Sequence, residues 1–236
     1  MTTSRRVWVV WGIGVSAYVV AVLQRTSLGV AGLDAARRFD TSASALAGFV
    51  VLQLLVYAAL QVPVGILLDR YGPRRMVTVG AFLMAAGQLV LAVSESVPMA
   101  AAGRVLVGAG DAMTFISVLR LVNAWVPPKR VALMTQATAL VGQLGQVLSA
   151  VPLAALLHGP GWTPAFLSAA GLGVLVGLLA ALLLRDSPAG PLHTEHALTL
   201  RQAGDDLRTA WRHPGTRLGL WAHFTAQYSG TVFALL

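Results

Sequence analysis

No cysteine occurs in the 236 residues, so the chain has neither disulfide staples nor thiolate metal sites. Charge is scarce as well. Only 11% of residues are Asp, Glu, Lys or Arg, against 56% hydrophobic. A mean hydropathy of +0.72 is too high for a soluble domain of this length. Lysine is almost absent: Lys129 stands against sixteen arginines. With the abundance of Ala, Val and Leu, this points to a GC-rich bacterial genome and so to a bacterial plasma membrane. The net charge of +8 invites a nucleic-acid reading, but the cations do not form one face. Arg5, Arg6, Arg70, Arg74, Arg75, Lys129, Arg130, Arg185, Arg201, Arg208, Arg212 and Arg217 fall in segments that share one side of a membrane. Only Arg37 and Arg38 fall on the other side. That is the positive-inside bias, which excludes a nucleic-acid surface and puts the N-terminus in the cytoplasm. The five histidines are scattered, and no metal-ligand spacing, nucleophile elbow or Walker loop is present. An enzyme, a metal site and a bound cofactor are all excluded on these grounds.

What remains is a series of apolar runs near the roughly 20 residues needed to cross a bilayer. Span one starts at Val7 and runs past Ala31; span two is Ala43 to Leu68 and span three Met76 to Val93. Span four is Met99 to Trp125, span five Val131 to Leu157 and span six Ala165 to Leu184. Residues 1–184 therefore read as a six-helix bundle. Residues 185–217 form a basic cytoplasmic linker. In it Leu200, Ala203, Leu207, Ala210 and Trp211 recur at helical spacing, which predicts a short helix on the membrane surface. A seventh span begins at Leu218 and is still in the membrane at Leu236, carrying Trp221, His223, Gln227 and Tyr228.

The joint between spans two and three carries the most specific pattern, Gly65-Ile-Leu-Leu-Asp-Arg-Tyr-Gly-Pro-Arg-Arg75. So short a joint makes the two helices antiparallel neighbours, with Gly72 and Pro73 in the turn. Gly65 would let another helix approach span two closely. The run resembles the G-x-x-x-D-R-x-G-R-R loop between helices two and three of the major facilitator superfamily of transporters. The resemblance implies an all-α membrane fold in which each half is two inverted three-helix repeats, with substrate bound between the halves. It makes Gly65, Asp69, Arg70, Gly72, Arg74 and Arg75 a gating motif. In it Asp69 would face a helix N-terminus of the second half, and Arg120 is a local cation for Asp69.

Polar side chains inside a bilayer face a cavity or a partner helix. Span one carries Tyr18, Gln24 and Arg25; span two Gln53, Tyr57 and Gln61; span four Arg104 and Asp111; span five Gln136, Gln143 and Gln146. Span three has only Gln88 and span six nothing more polar than Ser168. Spans one, two, four and five should therefore surround a wet path, with three and six outside. Tyr18, Arg25, Gln53, Tyr57, Asp111, Gln143 and Gln146 are the candidate substrate-binding residues. Arg25 is either a forked cation for a carboxylate or phosphate, or a side chain snorkelling to the outer headgroups. Tyr18 to Arg25 looks like the first helix of organic-anion members of the superfamily, where an Arg at the matching position binds the substrate. Asp111 lies about 18 Å into span four. It is either in an ion pair with Arg25 or Arg104, or a proton-coupling acid. Arg104-x-x-x-Gly108-x-Gly110 resembles the fourth-helix motif linked to proton coupling, with Val107 where the family has Gln; snorkelling is the other reading of Arg104. The span-five glutamines are either cavity groups or interface hydrogen bonds.

Gly142 to Pro152 lacks the Gly-Pro and terminal glycines of the drug/proton antiporter motif. Gly161-Trp-Thr-Pro-Ala-Phe166 resembles the entry to helix six of anion and sugar-phosphate members, with Thr163 replacing Arg. Proton-coupled movement of a small anion is the expectation, with drug efflux or a solute sensor as alternatives. The span count corresponds to a first half plus one helix. The chain is thus expected to need a missing C-terminal half, the complete protein being a monomer.

Overall fold

The computed structural model describes residues 3–190 and 200–235. The middle of the expected linker, with His193 and His196, and the side chains of Gln227 and Tyr228 lie outside what is described. The chain divides into two units, Met1–Glu195 and His196–Leu236.

The first unit is a helical bundle. Helix α1 is Thr3–Val30, the short α2 is Gly32–Arg38, and α3 is Ala43–Val93, broken at Gly72. Helix α4 is Val97–Trp125. Span five follows as α5 (Pro128–Gly142), α6 (Leu144–Leu148), a π-helical turn over Ser149–Leu153 and α7 (Ala154–His158); α8 is Trp162–Leu183. Five of these stretches are long and apolar enough to cross a membrane, α3 and the composite span five included. Helix α3 counts as two crossings. Gly72 sits at φ 78°, a left-handed conformation open to glycine, and Pro73 restarts the helix. The contacts show that its arms run oppositely. Gln53 lies at Gly108 and Asp69 at Arg120, so residues 43–71 run parallel to α4. Gly80 lies at Gly110 and Gly87 at Gly103, so residues 73–93 run antiparallel to it.

Small residues hold the bundle together. Gly80 and Gly87 on one helix face Gly110 and Gly103 on the other, each pair seven residues apart. A Cβ at Gly110 would run into the Gly80 carbonyl oxygen, and one at Gly87 would lie 2.6 Å from that of Gly103. Without side chains between them the two backbones touch, and dispersion is gained over their whole length. On the other flank Gly173 and Gly177 of α8 admit Ala85 and Phe82 of α3, and Gly145 admits Val19 and Val22 of α1.

The end opposite the basic joints is closed by satisfied helix termini. The last carbonyls of α3 lack intrahelical partners. Trp162 Nε1 donates to Leu91 O at 2.8 Å and Thr163 Oγ1 to Ala92 O at 3.0 Å. Arg38 Nε donates to Ser94 O at 2.8 Å, with its guanidinium 5.4 Å from the Trp162 ring. Thr163, which stands in for an arginine, thus acts as a cap.

Inside the first unit span two packs on α4 through Val64 and Leu68, and Gly65 is left open to a helix from outside it, a Cβ there meeting nothing within 4 Å. Two expectations about the spans need correction. Span five is not one regular helix. Its ladder breaks after Gly142 and widens around Pro152, which has no N–H to donate. Span three is not simply outside. Its Val79, Phe82 and Leu89 are exposed, but Gln88 is fully buried. Span six does present an apolar exposed face, of Leu172, Leu175, Leu178 and Leu182.

In the second unit α9 (Leu200–Arg212) and α10 (Pro214–Leu235) form as helices, the latter starting before Leu218. Leu207 and Trp211 of α9 are exposed. Trp221 and Phe224 of α10 are exposed, their rings 5.9 Å apart.

The seam and the open site at Gly65 separate cleanly by mutation. Gly110→Ala should destabilise the bundle by about 1–3 kcal/mol, because backbone on both sides must move. Gly65→Ala should stay within about 0.5 kcal/mol of wild type. Thermal unfolding in detergent micelles measures both; equal shifts would refute the packing account.

Candidate functional site

Helices α1 and α4 run antiparallel, with Gly14 against Val118 and Arg25 opposite Asp111. Side chains on a helix lean toward its N-terminus. Arg25, near the far end of α1, therefore leans back into the bundle. Asp111, fourteen residues into the 29-residue α4, leans up to meet it. Their atoms Nη1 and Oδ2 are 3.3 Å apart, with side-chain exposures of 28% for Arg25 and 2% for Asp111. This direction is opposite to snorkelling.

Arg104 departs further from its snorkelling reading. It is 1% exposed and lies across α1, donating from Nη2 to Arg25 O at 2.7 Å and from Nη1 to Gln24 O at 3.4 Å. Those carbonyls already belong to the helix ladder, so their second lone pairs take the guanidinium. Gln24 Nε2 donates to Ala169 O at 2.7 Å, tying α1 to α8. Gln88 Nε2 donates to Gln24 O at 3.0 Å and to Ser27 Oγ at 3.1 Å. Four helices thus meet at a buried polar knot beside the Arg25–Asp111 pair. Among the described residues, Arg104 Nε, Asp111 Oδ1 and the Oε1 atoms of Gln24 and Gln88 have no hydrogen-bond partner. Arg104 Nε–H can still donate to water or an anion, the three oxygens can accept from water or a substrate, and the Asp111 carboxylate can also take a proton.

The other candidates are placed unevenly. Tyr18 is buried, its ring 4.7 Å from Phe115 and pressed on Gly142, so it joins α1, α4 and α5. Gln53 is 2% exposed and lies over the Gly108 backbone; Tyr57 is half-buried beside Ala112 and Met113. Gln143 and Gln146 are exposed and bonded to each other, and Gln136 is exposed too. None of these three span-five glutamines joins the buried knot. Gln88 is the residue the sequence reading missed. Its signal was a lone amide in an otherwise apolar span.

At the basic end Arg120 Nη2 lies 3.2 Å from Asp69 Oδ1, with exposures of 48% and 31%. The turn is held by Asp186, which lies just past the end of α8 and was not expected in the site. Arg74 N–H donates to Asp186 Oδ1 at 2.8 Å, an acid at the start of the second arm, where a helix favours negative charge. The Arg74 guanidinium returns to Ala181 O. A Cβ at Gly72 would lie 2.9 Å from the Asp186 carboxyl. Arg70 stacks on Tyr71 at 5.4 Å, and Arg75 is exposed.

Six apolar crossings around a buried ion pair define a multi-pass membrane protein with a polar site inside it. The family model described as Major Facilitator Superfamily matches residues 14–236, and the chain belongs to that superfamily. It is similar to the "Probable actinorhodin transporter" of Streptomyces coelicolor, with 31% identity over 78% of this chain and 32% of that protein. It is similar to the "Probable L-galactonate transporter" of Escherichia coli, at 27% over 69% of this chain and 36% of that protein. It also matches the "Probable sulfoacetate transporter SauU" of Cupriavidus necator, at 22% over 72% of this chain and 40% of that protein. The chain thus spans between 32 and 40% of the length of these relatives. All three names are those of transporters, in keeping with the exclusion of an enzyme.

The two ion pairs should respond differently to deletion. Asp111→Ala leaves the partly buried Arg25 without its partner and takes away the carboxylate beside buried Arg104, and should cost up to about 3–5 kcal/mol. Asp69→Ala removes an exposed pair and should cost at most about 1 kcal/mol. Thermal unfolding in micelles checks the order, which must invert or vanish if Asp111 is not the bundle's counter-charge.

Proposed function

We propose that the chain contributes the substrate-binding helices of a secondary active transporter that moves a small organic or inorganic anion by alternating access, coupled to protons. The observation that supports this is the charge count at the bundle centre. Arg25 pairs with Asp111 and Arg104 lies buried on the α1 carbonyls beside them, so two guanidiniums stand against one carboxylate and leave a surplus of positive charge in a low-dielectric interior. An uncompensated buried charge is expensive, and an anion is what neutralises it. Arg25 spends one contact on Asp111 and retains further donors in a planar fork suited to a carboxylate, phosphate or sulfonate. Two of the relatives are named for anions, galactonate and sulfoacetate. The relative named for actinorhodin favours a second reading, transport of a larger organic compound.

Coupling follows from the same pair. A proton delivered from the aqueous phase to Asp111 removes the carboxylate that holds Arg25 and frees its guanidinium for the anion. Release of both to the other side restores the pair. Asp69 and Arg120 sit at the basic end, where they would take part in closing the path against the other half of a complete transporter.

Uptake of radiolabelled L-galactonate and sulfoacetate into proteoliposomes holding the chain together with the other half of a complete transporter tests the proposal. Arg25→Lys should lower uptake efficiency about 10- to 100-fold, since loss of a charged hydrogen bond is worth roughly 1.5–3 kcal/mol. Asp111→Asn should retain anion exchange but lose the response to an imposed pH gradient. Normal affinity in Arg25→Lys, or an intact gradient response in Asp111→Asn, would overturn the assignment.

A further inference from the structure

Two grooves flank the first turns of α1 at the basic end of the bundle. One, between α1 and α5, has a cavity of about 560 Å³ walled by Val7, Trp8, Trp125, Val126, Leu133 and Met134, with Arg130 at its rim. The other, between α1 and α8, has about 260 Å³ walled by Val9, Val10, Leu182 and Leu183, with Arg6 and Arg185 at its rim. Trp125 forms the back of both. Its indole Nε1 donates to Arg185 O at 3.0 Å, which fixes the ring between the grooves. The two are parts of one wedge. Spans five and six meet through α7 and α8 at the opposite end, where Leu153, Leu157, Trp162 and Phe166 share a core. Toward the basic end they stand apart, with α1 visible between them. Farther along, Trp11 Nε1 donates to Thr138 Oγ1 at 3.0 Å and ties α1 to α5.

We propose that this wedge is a binding site for an anionic phospholipid. Its walls are apolar, and on the α8 side it continues into the exposed leucine face of span six, Leu175, Leu178 and Leu182, which is a surface that acyl chain fits. Its rim carries Arg6, Arg130 and Arg185, all exposed and none in an ion pair among the described residues. No acidic side chain lines either groove. A phosphate held by guanidiniums, above chains lying on Trp8, Trp125 and Leu183, matches this split of charge and apolar surface. A zwitterionic lipid matches the walls but not the rim. The site lies at the membrane-facing ends of α1, α5 and α8 and does not involve Arg25 or Asp111, so it stands or falls apart from the transport reading.

The two tryptophans allow a direct test. The full chain is reconstituted in phosphatidylcholine with a minor fraction of brominated phosphatidylglycerol or of brominated phosphatidylcholine, and tryptophan fluorescence is recorded. Brominated phosphatidylglycerol should quench at least about two-fold more strongly at equal fraction. Arg6→Gln/Arg130→Gln/Arg185→Gln together should abolish that excess while leaving the phosphatidylcholine quenching in place. Trp8→Phe/Trp125→Phe, which keeps the arginines, should also abolish it and stands in if the triple variant does not fold. Equal quenching by the two lipids in the wild type overturns the proposal. So does an excess that survives the tryptophan replacements, since Trp11, Trp162, Trp211 and Trp221 would then be reporting on lipid elsewhere. An excess that competes away on adding salt supports it, because the rim is open to solvent.

Discussion

The bundle is organised by the difficulty of keeping charge inside hydrocarbon. A guanidinium in such a place needs a counter-charge and a full set of acceptors. Arg104 takes its acceptors from the spare lone pairs of α1, and Arg25 takes its counter-charge from Asp111. Gln24 and Gln88 extend the same solution to α8 and to the second arm of α3. The four helices that carry these groups are therefore fixed in register by polar contacts that have no equivalent a turn away. Slipping any one of them by a turn would strand a charge. Apolar packing alone imposes no such penalty, because one leucine surface resembles the next.

The glycine seams make that knot reachable. A guanidinium can lie across a neighbouring backbone only if the helices come close. Between α3 and α4 this is done by residues with nothing to keep the chains apart. The hairpin turn serves the same end. Its left-handed glycine permits the reversal and leaves room for the Asp186 carboxyl, which caps the returning helix. Close packing, the turn and the buried charges thus depend on one another.

Much of this was legible in the residues. Hydropathy and short basic joints marked six crossings, and the positions of Gly72 and Pro73 marked the reversal. The pairing of Asp69 with Arg120 followed from both lying at the basic end. Asp111 at the middle of span four called for a cation, but spacing along one helix could not choose between Arg25 and Arg104. The choice depends on the lean of side chains on antiparallel helices, which needs their relative rotation. Gln88 was masked for a similar reason: hydropathy averages over a helix's faces, and one buried amide hardly moves the mean. Span five was read as continuous because Gly and Pro are tolerated in membrane helices whose freed backbone groups find other partners. Within the first unit span two packs through the face beside Gly65, which stays open. Asp186, beyond the last apolar residue, had no local pattern to mark it.

The two ends of the bundle are fastened by different chemistry. At one end indole and hydroxyl groups cap helix carbonyls, with Trp162 and Thr163 meeting the last turn of α3. At the other the contacts involve carboxylates close to water, Asp69 with the Arg120 guanidinium and Asp186 with the backbone N–H of Arg74 at the start of the second arm. Screening acts on the second kind and hardly on the first. Ionic strength should therefore act as a selective solvent variable, loosening one rim of the molecule and sparing the other. Amide exchange in rising salt would show this as faster exchange around residues 69–74 with no change around 91–94, and a uniform response would contradict it. The composition of the medium on a single face of the membrane then sets how firmly this bundle is closed.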